Sequence, residues 1–397
     1  MRPATLLLPL LVTVLAHAPG LAEEECTTAI ATGPATADGR PLLWKNRDTD
    51  ARSNKVVYVG EHPYAYVAVT NAAEPSGRIV WGGLNERGFA IINSVAYNLP
   101  RRRGEMADLE GIVMADALRS CATVGEFEAY LARNLGESLG CWTNFLVVDA
   151  AGGSSIFEVH NHGYVRLDAD TASSGCLLNT NFSRSGTERA GEGYLRFERE
   201  EELLLRERAG GITVEFLLQE ASRDIGHALL EHPRRELWSE LPAEPARWLH
   251  TRHTINRNST ASSILVHGVR PGEDPRRATL WVILGEPLCS VAVPVWVAAR
   301  ETPRELGEGE DAPLVAEALR LQRSLRPLAG GARNEYIDLT RLDNSEGTGW
   351  LPATLAAERA IIQETAEFLT EEHSAAELAE FQRAMAARAL ATLRSIP

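Results

Sequence analysis

Cys26-Thr27-Thr28-Ala29-Ile30-Ala31-Thr32 lies just beyond an apolar leader, and Pro41-Leu42-Leu43-Trp44-Lys45-Asn46-Arg47-Asp48 follows it after the turn signal Asp38-Gly39. β-Branched residues mixed with alanine predict a strand over 27–32, and 41–46 predicts its hairpin partner. Cys26 reads as the first residue of the mature chain, which would put a thiol and a free α-amine on one residue. A mid-chain cysteine needs a neighbouring base to become a thiolate. An N-terminal one carries its own, because an α-amine has an ordinary pKa of about 7.7–8.0. Such a site further needs a group that orients the amine, and amide donors for the oxyanion of the tetrahedral intermediate. Before maturation the same thiol can attack the carbonyl of Glu25, forming a thioester that water hydrolyses.

Residues 1–22 have the three parts of an export signal: Arg2, an apolar core from Leu6 to Ala16, and Gly20-Leu21-Ala22 ahead of the cut. Ala16-His17-Ala18 offers a second cut, disfavoured because Pro19 follows it. The apolar run is short for a bilayer span. The expectation is an exported protein, periplasmic or secreted, with no transmembrane anchor after cleavage. Cutting after Ala22 leaves residues 23–25, three glutamates, as a short propeptide ahead of Cys26.

The chain has 397 residues, 44% hydrophobic and 24% charged, which suits a folded core. Its formal charge of −14 argues against nucleic-acid binding. Cys26, Cys121, Cys141, Cys176 and Cys289 are an odd set. With Cys26 as the reactive thiol, the other four form up to two disulfides or are buried thiols. His160/His162 and His250/His253 lack a third ligand in sequence, so neither a metal nor a cofactor is expected. Asn181-Phe182-Ser183 and Asn258-Ser259-Thr260 match glycosylation sequons.

Further strands are expected over 56–59, 65–70, 79–82, 144–149, 155–159, 164–167, 176–181, 260–266, 279–284 and 291–297. Helices are expected over 109–120 and 124–134, and again over 312–325 and 353–395. The run 188–208 interleaves Glu and Arg around leucines and reads as a solvated helix face without function. Strands, then helices, then strands point to a layered α+β fold.

Cys26-Thr27-Thr28, Asp38-Gly39-Arg40-Pro41 and Asn46-Arg47-Asp48 together resemble the start of the N-terminal-nucleophile (Ntn) hydrolases of the penicillin acyltransferase and choloylglycine (bile-salt) hydrolase group. Gly83-Leu84-Asn85-Glu86-Arg87-Gly88-Phe89-Ala90 is similar to that group's Gly-x-Asn-Glu-x-Gly-x-Ala element. Thr180-Asn181 resembles its Thr-Asn element, and Ser259–Val266 with Leu280–Pro287 its closing strands. The likeness spans residues 26–300. It implies a four-layer αββα Ntn-hydrolase sandwich, with residues 301–397 as a mainly helical C-terminal extension.

The resemblance also implies roles. Asp48 would hold the nucleophile's amine and thiol, and Asn181 would donate to the oxyanion. Lys45 would be the basic residue that is Arg in the bile-salt hydrolases. Asn93 lies on a strand that faces the site in relatives, and Arg257 is the candidate for a late arginine. The implied reaction is cleavage of a linear non-peptide amide, a small-molecule substrate, or transfer of its acyl group, through a thioester on Cys26. A dipeptidase-like relative and an inactive, disulfide-bonded binding protein are the alternatives. Assembly as a homo-oligomer stays open.

Overall fold

The computed structural model describes residues 25–60, 63–328 and 331–397. The leader and Glu23-Glu24 lie outside the described residues.

In chain order the first strands are β1 (Glu25–Ala31), β2 (Leu42–Asp48), β3 (Asn54–Val59), β4 (Tyr66–Asn71), β5 (Gly82–Asn85) and β6 (Ala90–Val95). Helices α1 (Glu110–Ser120) and α2 (Val124–Asn134) follow, then β7 (Trp142–Val148), β8 (Ser154–His160), β9 (Gly163–Asp168) and β10 (Cys176–Asn179). Helices α3 (Tyr194–Glu207) and α4 (Val214–Gln219) lead to β11 (Trp248–His250), β12 (Thr260–His267), β13 (Thr279–Leu284) and β14 (Val293–Val295). The chain ends with α5 (Arg304–Gly307), α6 (Pro313–Leu325), β15 (Tyr336–Asp338), α7 (Leu339–Leu342), α8 (Leu351–Phe368) and α9 (Ala375–Ser395).

Two antiparallel sheets stack face to face. One runs β10-β1-β2-β12-β13-β14, the other β3 through β9 in sequence order. Ile30, Leu43 and Ile264 of the first meet Val67, Leu84, Ile92 and Leu146 of the second in one fully buried cluster. Helices α1 and α2 cover the outer face of the second sheet, where Phe127 packs edge-on against Phe145 and Phe157. Helices α3, α4, α6, α8 and α9 cover the outer face of the first. This is the expected four-layer αββα sandwich.

The C-terminal helices complete a layer rather than hang beside one. From α8, Glu358 forms a two-pronged pair with Arg223 at 2.9 Å on each oxygen and accepts from the backbone of Ala292 at 2.6 Å. Both side chains are fully buried. From just past α6, Arg326 grips Glu286 beyond β13 at 2.6 and 3.0 Å. Removing one partner of a buried pair leaves an uncompensated charge, at a cost of about 3–5 kcal/mol. Glu358→Gln is therefore expected to lower unfolding stability by about that amount, measured by urea denaturation with an unchanged m-value. A loss below about 0.5 kcal/mol would mean that the helical layer is not anchored there.

Three predicted strands differ: 176–181 ends at Asn179, 291–297 narrows to Val293–Val295, and 79–82 shifts. The apolar run 79–82 becomes regular strand only at Gly82: the Ile79 carbonyl accepts from the Thr70 side chain, the Val80 N–H donates to the Gly111 carbonyl, and only from Trp81 does the backbone bond to that of β4. The short β11–β15 pairing joins segments far apart in sequence and carries no local signal.

Candidate active site

The β1–β2 register sets the site. Cys26 stands opposite Arg47, Thr28 opposite Lys45, and Glu25 opposite Asp48. Side chains alternate along a strand, so Cys26, Lys45 and Arg47 face the second sheet, while Glu25, Thr27 and Asp48 face the helical layer. Arg47 donates to Asn54 and Asn71 and lies 4.3 Å over the Trp81 ring. Lys45 Nζ donates to the Trp81 carbonyl at 3.0 Å and to Asn93 Oδ1 at 2.6 Å. Asn93 pairs opposite Phe145, on the α1/α2 side. Lys45 still reaches it because β5 begins at Gly82, opposite Ile92, and leaves the edge of β6 open beyond that point.

Cys26 is 3% exposed. Its backbone N–H donates to Asn181 Oδ1 at 3.0 Å. β10 pairs with β1 as far as Asn179 opposite Thr28, so the next two residues run alongside Cys26. Asn181 is fixed at its other end, where Nδ2 donates to the Val95 carbonyl at 3.0 Å. A fully buried Asn181 engaged in this way is no glycosylation acceptor.

From α3, Arg196 donates to the Cys26 carbonyl at 2.6 Å, to Thr27 Oγ1 at 3.0 Å and to Asn181 Oδ1 at 2.8 Å. Gly193 starts that helix at φ +79, and a Cβ there would stand 2.7 Å from Arg196 and 2.9 Å from Thr180. Any side chain at Gly193 would displace the arginine.

On the helix-facing side, Asp48 accepts from Arg257 Nε at 2.8 Å and from Thr260 Oγ1 at 2.6 Å. Arg257 reaches on to Glu25 at 2.7 Å, and Arg196 meets the same Glu25 oxygen at 2.5 Å. Burial pushes the Glu25 carboxyl up, but Arg257 and Arg196 outweigh it and hold the pKa at about 2. Burial pulls the Arg257 guanidinium down, yet Asp48 and Glu25 outweigh it and push it up. Burial and the nearby Arg257 leave Arg196 lowered. One turn along α3, Glu200 is fully buried, and burial pushes its carboxyl well above the usual range against the pull of Arg196.

The structure thus sets Asn181 against the Cys26 nitrogen, pairs Asp48 with Arg257 on the helix-facing side next to Glu25, and links Lys45, on the inter-sheet side, to Asn93 across the open edge of β6. The reading of 188–208 as a solvated face without function is corrected: Arg196 is 1% exposed and touches Cys26 directly. The signal lay in the buried stripe Arg196, Glu200, Leu203 and Leu204, which puts two charged residues on the apolar side of an amphipathic helix.

Two cavities flank the site and share Tyr97. One, of about 360 Å³, is lined by Trp81, Val95, Leu99 and Trp142. The other, of about 420 Å³, is lined by Glu25, Tyr194, Arg196, His253 and Arg257.

No family model and no curated protein matches the sequence. Solved structures give loose matches. A conjugated bile acid hydrolase variant from Clostridium perfringens is 12% identical over 65% of this chain and 89% of its own, with a TM-score of 0.37. A Caenorhabditis elegans ortholog of N-acylethanolamine-hydrolyzing acid amidase is 13% identical over 61% and 92%, at 0.34. Penicillin V acylase from Agrobacterium tumefaciens is 16% identical over 68% and 86%, at 0.37. Overlap this loose carries no argument about chemistry, which rests on the residues themselves.

Those residues include no disulfide: Cys121, Cys141, Cys176 and Cys289 are buried thiols. Burial pushes Cys141 and Cys289 well above the ordinary thiol range, which makes them poor nucleophiles.

Proposed function

We propose that this chain is an amidohydrolase or acyltransferase of the Ntn type, with Cys26 as nucleophile after removal of the residues before it. The observation that carries the reading is the backbone nitrogen of Cys26, held 3.0 Å from Asn181 Oδ1 and one residue on from Glu25, which stands opposite Asp48. That nitrogen becomes the general base on cleavage. The αββα layers, with Cys26 near the start of a central strand, support the same reading.

Maturation proceeds by attack of Cys26 Sγ on the Glu25 carbonyl carbon. A C–S bond forms, the Glu25–Cys26 C–N bond breaks, and the nitrogen takes up a proton as the α-amine. Water then hydrolyses the thioester and frees the propeptide with a new carboxylate. In turnover the amine accepts the thiol proton, Sγ attacks the substrate amide carbon, and the proton passes to the leaving amine. Water or an acceptor amine resolves the thioester. Asn181 Oδ1 holds the α-amine. Its Nδ2 carries a second hydrogen besides the one given to Val95, and this one serves the oxyanion.

Asp48 stands opposite residue 25, so cleavage leaves the new ammonium at a strand end beside its carboxylate. A neighbouring carboxylate favours and orients the ammonium. Asp48→Asn is expected to reduce turnover on the order of 100-fold or more while the circular dichroism stays that of the wild type. Near-normal turnover would make Asp48 an ordinary structural partner of Arg257.

The test of the whole reading is the intact mass of the exported protein together with amide turnover before and after a stoichiometric thiol reagent. A start at Cys26 and loss of turnover are expected. A protein that begins stably at Glu23 and still cleaves amides would overturn the free-amine mechanism. A start at Cys26 without any turnover would favour the binding protein.

A further inference from the structure

Glu25 is more than the residue before the cut. In self-cleavage it supplies the acyl group, so its side chain shows what the site can hold on that side of a thioester. Its carboxylate oxygen sits between two guanidiniums, 2.5 Å from Arg196 and 2.7 Å from Arg257. Arg196 and Arg257 are both at least nine-tenths buried. Two converging buried arginines form a cradle that a single propeptide residue does not require. Glu25 also lines the cavity of about 420 Å³, so its departure opens its own place onto that space. Arg257 then keeps Asp48. Arg196 keeps its hydrogen bonds to neutral acceptors, namely Asn181 Oδ1, the Cys26 carbonyl and Thr27 Oγ1. A buried cation left this way favours a replacement anion.

We propose that the Arg196–Arg257 pair, relieved of Glu25, is a carboxylate subsite that selects amide substrates whose acyl group ends in a carboxylate. The chain length follows from Glu25 itself. Its carbonyl carbon, Cα, Cβ, Cγ and carboxyl carbon make a five-carbon diacid, so the matching acyl group is glutaryl. This rests on Cys26 being the mature nucleophile. The bonds made and broken are those of the thioester route above, with glutaryl in place of the propeptide.

The test uses mature protein whose start at Cys26 has been verified by mass, and compares p-nitroanilides of glutaric and pentanoic acid. These share chain length and differ in the terminal carboxylate. A site built around paired donors rejects an analogue lacking the acceptor, so kcat/KM for glutaryl is expected to exceed that for pentanoyl by at least about 100-fold. Arg196→Met should bring the ratio towards one, and Arg196→Lys should restore part of it. Glutarate, but not pentanoate, should inhibit competitively and raise the thermal midpoint of wild-type protein, a readout that needs no turnover. Equal kcat/KM for the two anilides overturns the subsite and leaves the nucleophile reading standing. So does a preference for a carboxylate on the amine side, seen as faster release from pentanoyl-4-aminobenzoate than from pentanoyl anilide. Absence of any acyl adduct on Cys26 with either anilide overturns the nucleophile reading, and the subsite with it.

Discussion

Cys26→Ala is expected to yield a protein that keeps every residue ahead of position 26 left by the export machinery and turns over no amide. Removing the nucleophile of a hydrolase that works through a covalent intermediate typically costs on the order of 10⁶-fold in turnover. Here the loss compounds, because the same Sγ that attacks substrate is proposed to release the amine that serves as its base. The fold should tolerate the change. Cys26 is buried, with its backbone paired to Arg47 of β2 and bonded to the side chains of Asn181 and Arg196, and alanine keeps those bonds. The measurements are intact mass, circular dichroism and turnover on any amide that the wild type cleaves. A Cys26→Ala chain that is shortened to position 26 assigns the cut to an outside protease. One that still cleaves amides removes Cys26 from the chemistry.

Asn181→Ala is expected to lower turnover by about 100- to 1,000-fold with little change in KM, the pattern of a group that acts on the transition state. The structure adds a second consequence. Asn181 Oδ1 also accepts from Arg196 at 2.8 Å, so alanine removes the bridge that sets that arginine against the Cys26 carbonyl. Self-processing should slow as well, and the mass of the mature start separates unprocessed protein from processed but slow enzyme. Asn181→Asp should be at least as harmful, since it sets a negative charge against the oxyanion. Processed Asn181→Ala with wild-type turnover would move the donor elsewhere. Asn93 is the next candidate, although its carbonyl end is committed to Lys45 and its amide to Thr143.

The hairpin 26–48 was legible because its signals are local: β-branched residues, an Asp-Gly turn and the apolar run Leu42-Leu43-Trp44 that opens the partner. Helix 124–134 was legible from apolar spacing and is observed with those bounds. What sequence could not supply was which distant groups meet Cys26. Arg196 and Arg257 sit 170 and 232 positions from their partners at the start of the chain. Resemblance pointed to Arg257, whereas Arg196 lay in a charge-dense run whose composition masks two buried positions. Glu25 read as a disposable spacer because its value lies in two arginines that only the folded chain brings to it. The C-terminal helices read as an extension, and nothing local to Glu358 announces its pairing with Arg223.

The span of those contacts has a consequence for the order of events in the cell. The groups that align Cys26 come from the segment just past β10, from α3 and from the segment before β12, and β12 lies beneath a layer closed by the last helices. On the proposed route the cut therefore waits for nearly the whole polypeptide to be made and assembled. Loss of the leader-side residues becomes a certificate of completed folding, issued by the molecule to itself. A chain interrupted near residue 300, or one misfolded at α8, would keep its front end and stay chemically silent.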